Sequence, residues 1–230
     1  MVSRSPLKNC LILFAKGLEP GKVKTRLCPP LSHGEACRVY RALLTYTVRE
    51  IIPLKKIRKV IAYTGSLPSL CEFNLSLMEW ISQGEGDLGQ RLKKASLWSQ
   101  RQGSTSTVII GSDAFVELKE RVSLAFERLK NCDLVVGPAW DGGFYLLGFR
   151  NKLHPNFFKM IRWSTGDTLL DTLKQAKLYS YRIGVLPMGY DVDDEAGLKI
   201  LKMESGRKID VGLHAMELFR ELQFIKDVLN

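Results

Sequence analysis

The sequence predicts one α/β domain, a mixed, mainly parallel β-sheet with helices on both faces. Three observations predict it. Short apolar runs alternate along the chain with segments that keep a helical stripe. The early runs are apolar without interruption, as strands covered on both faces are. The chain has 230 residues and no repeat, low-complexity tract or linker-like change in composition, so a single domain over 1–230 is expected.

The elements follow in order. NCLILFA (9–15) reads as the first strand. Ser32 with Glu35 three residues later is a capping box, and Ala36, Val39, Tyr40, Leu43 and Tyr46 continue it as a helix. KVIAYTG (59–65) and LMEWISQ (77–83) are the next strands. Asp87 and Gln90 cap a helix that carries Leu88, Leu92 and Ala95. STVIIGS (106–112) is a strand, followed by a helical stripe of Leu118, Val122, Ala125, Phe126 and Leu129. DLVVGP (133–138) and FYLLGF (144–149) lie too close for a helical crossover and should run antiparallel. Leu169, Leu170, Leu173 and Ala176 mark another helix, YRIGVLP (181–187) a last strand, and Leu218, Leu222, Ile225 and Leu229 a C-terminal helix.

The formal net charge of +10 is high for a globular domain and points to an anionic partner: nucleic acid, a membrane surface or phosphorylated small molecules. A clustered excess favours the last, and the basic residues near the motifs gather at strand ends without an aromatic-basic RNA motif, which disfavours nucleic acid. The five cysteines are odd in number, dispersed and never in a C-x-x-C pair, which argues against a disulfide framework or zinc site. No run approaches the roughly 20 apolar residues of a membrane helix, and the N-terminal apolar run is too short for a signal peptide. A cytoplasmic protein is expected.

In such a sheet, ligands bind beyond the carboxyl ends of the strands. The first strand runs into AKGLEPGKVKTRL, where Gly21 permits a tight path and Lys16, Lys22, Lys24 and Arg26 supply charges suited to phosphate, without Walker spacing. After the third strand, Gly84, Gly86 and Gly89 surround Asp87, with Arg91 one turn into the helix; so many glycines suggest close approach of a ligand to the backbone. Asp113 ends an apolar strand, where a carboxylate caps the next helix, pairs, or binds a hard metal. Asp141, Gly142 and Gly143 form a turn between two strands. Asp191, Asp193 and Asp194 follow the last strand; one should cap the next helix, and all three repel unless a cation sits among them. Cations at one strand end and carboxylates at others describe a metal-nucleotide site.

These motifs (F-A-K-x-x-x-P-G-x-V-K-T-R-L, Q-G-x-G-D-L-G-x-R-L, G-S-D, G-P-A-x-D-G-G-F-Y-L-L-G and D-V-D) resemble, in order and spacing, a bacterial family of GT-A-like transferases. That family is named for its association with radical-SAM/selenodomain proteins and is sometimes labelled an arsenosugar-biosynthesis glycosyltransferase. The resemblance runs from about Leu11 to Leu201. It implies a single three-layer Rossmann-like GT-A domain with about seven strands, of the nucleotide-diphospho-sugar transferase superfamily. It further implies Lys16, Lys24 and Arg26 on nucleotide phosphates, Asp113 with Asp191 or Asp193 on Mg²⁺ or Mn²⁺, and the G-D-L-G and D-G-G turns facing base, sugar or acceptor. Three positions differ from the pattern: Phe115 stands where relatives carry a proline, Asp194 where they carry a threonine, and Gly197 where they carry the last acid of the late motif.

Three functions compete. One is a metal-dependent glycosyltransferase using a nucleotide-sugar donor and a small-molecule acceptor. Another is a nucleotidyltransferase joining an NMP from an NTP to a phosphorylated acceptor, and the third is a non-catalytic anion-binding module. The histidines lie outside the motifs, so Asp141 is the candidate base, with Arg26 the candidate catalytic cation beside the phosphates. The nucleotide-sugar transferase leads.

Overall fold

In the computed structural model, which describes residues 7–66, 78–194 and 197–201, β1 (Asn9–Lys16) is apolar on both sides because both sides are covered. Leu11, Leu13 and Ala15 point into one core and Cys10 and Ile12 into the other. Six more strands complete the sheet: β2 (Arg58–Thr64), β3 (Glu79–Ser82), β4 (Ser106–Ile110), β5 (Leu134–Pro138), β6 (Phe144–Arg150) and β7 (Ile183–Val185). Each falls on a run that the sequence marks. Their order is β3-β2-β1-β4-β6-β5-β7.

β1 pairs in parallel with β2 and β4, β2 with β3, and β5 with β7. β6 alone among them is antiparallel, to both β4 and β5, because the turn before it is too short for a crossover. The chain builds outward from β1 through β2 to β3, then returns to lay β4 on the other side of β1. That reversal leaves a crevice beyond the ends of β1 and β4, where ligands of open α/β sheets bind.

Helices α1 (His33–Ile51) and α3 (Leu118–Arg128) pack on one face; α2 (Leu88–Arg101) and α4 (Thr168–Leu178) lie on the other, with Phe157, Phe158 and Ile161. Both expected capping boxes form. Glu35 Oε2 accepts the Ser32 N–H at 2.8 Å and Ser32 Oγ the Glu35 N–H at 3.3 Å, while Asp87 Oδ1 accepts the Gln90 N–H at 2.8 Å. The stripes of α1 and α3 are buried as expected.

α4 corrects its expected stripe. Leu170 is exposed, and the buried face carries Thr168, Asp171, Thr172, Gln175 and Ala176. The helix turns its polar side inward because Asp171 grips Arg162: Arg162 Nε donates to Asp171 Oδ2 at 2.8 Å and Nη2 to Oδ1 at 3.0 Å. This fork ties α4 to the loop that precedes it. The expected C-terminal helix around Leu218 to Leu229 lies outside the described residues. Among the described residues, no helix is long and apolar enough to cross a membrane.

Candidate functional site

The crevice holds two adjoining chambers. The first, of about 470 Å³, is bounded by the end of β1, the Lys24 turn, Gly86 to Arg91 at the start of α2, and Gly111 to Asp113 after β4. The second, of about 360 Å³, is bounded by Asp141 and Gly143, by Ser164 to Gly166, and by Asp191 and Asp193. Lys16, Asp113, Phe144 and Ser164 face both.

Hydrogen bonds fix the strand ends that carry these groups. The Lys16 N–H donates to Tyr40 Oη at 2.7 Å, and the same hydroxyl lies 2.9 Å from Ser112 Oγ, so α1 joins the ends of β1 and β4. Burial pushes the Tyr40 phenol up to about 12, which keeps it a neutral hydroxyl at neutral pH. Gln83 Nε2 donates to the carbonyls of Ala15 at 3.1 Å and Ala62 at 2.9 Å, closing the gap between β1 and β2. Tyr40→Phe strands the Lys16 N–H and is expected to cost about 1–3 kcal/mol in chemical denaturation; a change below about 0.5 kcal/mol would show that the hydroxyl does not brace the site.

Asp113 does not cap α3, whose first turn has no side-chain cap. It begins a short antiparallel bridge instead: the Phe115 N–H donates to Tyr190 O at 3.0 Å, the Val192 N–H to Asp113 O at 3.1 Å, and Ala114 pairs with Asp191. Phe115 supplies the donor that a proline there would lack. This bridge sets Asp113 beside the Asp191–Asp193 segment.

A cation already sits between two of these acids. Lys24 Nζ donates to Asp113 Oδ2 at 2.8 Å and to Asp193 Oδ1 at 3.2 Å, and Arg26 Nη1 to Asp193 Oδ2 at 3.0 Å. Burial opposes the charge on Lys24, but Asp113 and Asp193 outweigh it and hold its pKa above the usual lysine value. Burial likewise opposes the charge on Asp193, and Lys24 and Arg26 pull its pKa down. Asp191 has no such partner among the described residues: its Oδ1 is buried without a hydrogen bond to any of them, and burial, then the Asp113 charge, push its carboxyl above the carboxylate range. Asp194 is the helix cap, with Oδ1 accepting the Gly197 N–H at 2.9 Å. Among the described residues, no group of three His, Cys, Asp or Glu side chains is placed to hold a metal ion. Mg²⁺ or Mn²⁺ therefore does not fit this arrangement of Asp113, Asp191 and Asp193, because an ammonium fills the space that a metal would share.

Residues 47–165, just over half of the chain, match the family described as an uncharacterized protein conserved in bacteria (DUF2064). The chain belongs to DUF2064. A candidate nucleotide-diphospho-sugar transferase from Desulfovibrio desulfuricans is 29% identical, with a TM-score of 0.83 over 96% of this chain and 98% of that one. Two structures share the fold at lower identity. A cytidylyltransferase from Leptospira borgpetersenii is 11% identical, with a TM-score of 0.58 over 96% of each chain. A 4-diphosphocytidyl-2C-methyl-D-erythritol synthase from Anaerococcus prevotii is 8% identical, with a TM-score of 0.57 over 87% of this chain and 100% of that one. No curated protein sequence matches the chain.

Within this DUF2064 chain, most residues singled out from sequence converge. Lys16, Lys24, Gly86, Asp87 and Arg91 line the first chamber, and Arg26, Asp141 and Gly143 the second. Lys16 carries no side-chain hydrogen bond or ion pair among the described residues, while Arg91 Nε is held by Gly86 O at 2.9 Å. Asp141 Oδ1 accepts the Gly143 N–H at 2.8 Å, which leaves Oδ2 without a partner among the described residues.

Gly21, Lys22, Gly89 and Gly142 line neither chamber. Lys22 points outward and pairs with Glu19 at 2.6 Å. Gly89 is glycine because a Cβ would fall 2.4 Å from Trp163 Nε1, and Gly142 because one would fall 2.0 Å from Gly166 O. Both make room for the Trp163–Asp167 loop rather than for a ligand. That loop, with Ser164, Thr165 and Gly166, went unrecognised in the sequence, although S-T-G-D ahead of a helix has the same grammar as G-E-G-D before α2.

Proposed function

We propose that this protein is a nucleotide-sugar transferase that passes a glycosyl group from a nucleoside diphosphate donor to a hydroxyl acceptor. The observation that carries this reading is a pair of chambers of different charge sharing Lys16 at their junction. The nucleotide lies in the first chamber, along the Gly86–Arg91 start of α2, with its phosphates at the Lys16 ammonium, which is unpaired among the described residues. The sugar reaches past Phe144 and Ser164 into the second.

Charge separates this reading from nucleotidyl transfer to a phosphorylated acceptor. The second chamber is lined by the carboxyls of Asp113, Asp141, Asp191 and Asp193 against the cations of Lys16 and Arg26, one of which is already paired. A phosphate ester there would meet excess like charge, whereas an uncharged polyol would find acceptors for its hydroxyls. Asp141 Oδ2 is the free group suited to take the acceptor proton.

The test incubates the protein with nucleoside diphosphate sugars and, separately, with nucleoside triphosphates, and follows the released nucleotide. Release of a nucleoside diphosphate from one of the sugars supports glycosyl transfer. Release of pyrophosphate from a triphosphate would replace this reading with nucleotidyl transfer, and turnover of neither would leave a non-catalytic anion-binding module.

A further inference from the structure

A ligand that crosses from one chamber to the other passes Lys16, Asp113, Phe144 and Ser164, which face both. Asp113 is occupied by the Lys24 ammonium at 2.8 Å, and Phe144 presents a ring whose edge-to-face partner is Trp163. That leaves an ammonium on one side of the junction and the Ser164 hydroxyl on the other.

The loop that carries Ser164 is braced from within. Arg162 grips Asp171 through two bonds, at 2.8 and 3.0 Å, and pairs with Asp167 at 2.7 Å. Thr165 and Thr168 also line the second chamber, but the loop consumes both of their hydroxyls. Each donates to Arg162 O, at 3.0 and 2.8 Å. Thr165 Oγ1 in turn accepts the Asp167 N–H, and Thr168 Oγ1 the Thr165 N–H, both at 3.3 Å. The Ser164 hydroxyl makes no hydrogen bond among the described residues. Its backbone is left-handed, at φ 59°, a conformation that serine adopts at a cost and that persists where the surroundings over-determine it. Of three hydroxyls on this wall, two hold the loop together and the third is left for a ligand.

We propose that Ser164 selects the transferred sugar, through a hydrogen bond to the hydroxyl on the ring carbon next to the one that leaves the diphosphate. This rests on the nucleotide-sugar reading above. With the phosphates at Lys16, the sugar atoms that enter the junction are the carbon bonded to the diphosphate and its ring neighbours, by covalent connectivity alone. The sugar hydroxyl closest along the chain of bonds is then the one on the neighbouring carbon. A serine hydroxyl donates and accepts, as a sugar hydroxyl does, so the two can pair in either sense. A phosphate oxygen only accepts, and the Lys16 ammonium already serves it. The donor class is therefore a nucleoside diphosphate hexose with a free hydroxyl at that carbon, in preference to its 2-deoxy counterpart.

The test is a calorimetric titration of wild-type, Ser164→Ala and Ser164→Gly protein. Three ligands share the base that wild-type protein prefers: the nucleoside diphosphate, its glucose ester and its 2-deoxyglucose ester. Wild-type protein is expected to bind the glucose ester about fivefold more tightly than the 2-deoxyglucose ester. Both variants should lose that preference by weakening the glucose ester, with the other two affinities within about twofold of wild type. Glycine suits the left-handed backbone and alanine does not, so a loss common to both belongs to the hydroxyl. The glycine variant also stands in if the alanine variant fails to fold. The proposal is overturned, with the nucleotide-sugar reading intact, if wild-type protein does not separate the two sugars or if Ser164→Gly keeps the preference. An equal loss for all three ligands overturns it too, because Ser164 would then serve the phosphates. If neither sugar ester binds wild-type protein, both readings fall together.

Discussion

Lys16→Ala is expected to weaken nucleotide binding by about one to two orders of magnitude while leaving the melting temperature unchanged. The side chain makes no hydrogen bond or ion pair among the described residues, so its loss breaks nothing in the fold. The bond that ties position 16 into the site comes from the backbone N–H to Tyr40, and alanine keeps it. Lys24, by contrast, is consumed by Asp113 and Asp193, and Arg26 by Asp193. A charge-assisted bond to a phosphate contributes about 1.5–3 kcal/mol, which sets the size of the effect. Calorimetric titration with the preferred nucleotide reads the affinity, and thermal denaturation the stability. Affinity within about threefold of wild type would place the phosphates elsewhere.

Gly142→Ala is expected to destabilise the protein by more than about 3 kcal/mol and to disable the second chamber. Position 142 has φ +83°, and a Cβ there would lie 2.0 Å from the Gly166 carbonyl oxygen, a backbone atom with no rotamer to change. Either the Asp141–Gly143 turn or the Ser164–Gly166 loop must move. The two are also joined by the Leu169 N–H to Gly142 O bond at 2.9 Å, so movement pulls on the start of α4. Donor binding in the first chamber should survive where the variant is folded, while acceptor-dependent turnover falls. Gly143→Ala is the milder neighbour: the nearest atoms to its Cβ would be those of the Asp141 carboxylate, with Oδ1 at 3.0 Å, the end of a side chain. Equal stability of the two variants in urea would contradict this reading.

The strands were legible because each is a short apolar run whose partners cover both faces, and the caps of α1 and α2 were legible because a capping box is local. Groups that strand ends bring together, such as Lys16, Asp113 and Asp191, could be grouped from sequence for the same reason: topology alone carries them to one edge. What those groups do to each other was not legible. Lys24 and Asp113 are 89 residues apart, and nothing local says that the ammonium would settle on the acids instead of facing the cleft. The inward polar face of α4 was hidden for a similar reason. Helical spacing favours Leu170 in the core, but the Arg162–Asp171 fork turns that side outward. Gly89 and Gly142 illustrate the same limit: Gly89 was read as room for a ligand and Gly142 as part of a turn facing one, and each is room for the Trp163–Asp167 loop.

The central claim is that the first chamber binds a nucleotide through Lys16 and that the second receives the group transferred. The most direct test is a calorimetric titration of wild-type and Lys16→Ala protein with a panel of nucleoside diphosphate sugars, nucleoside diphosphates and triphosphates, with and without Mg²⁺. Saturable binding of one nucleotide sugar by wild-type protein, weakened at least about tenfold in Lys16→Ala, is the predicted result. Equal binding by both proteins, or no heat from any nucleotide with a fully folded sample, would contradict it.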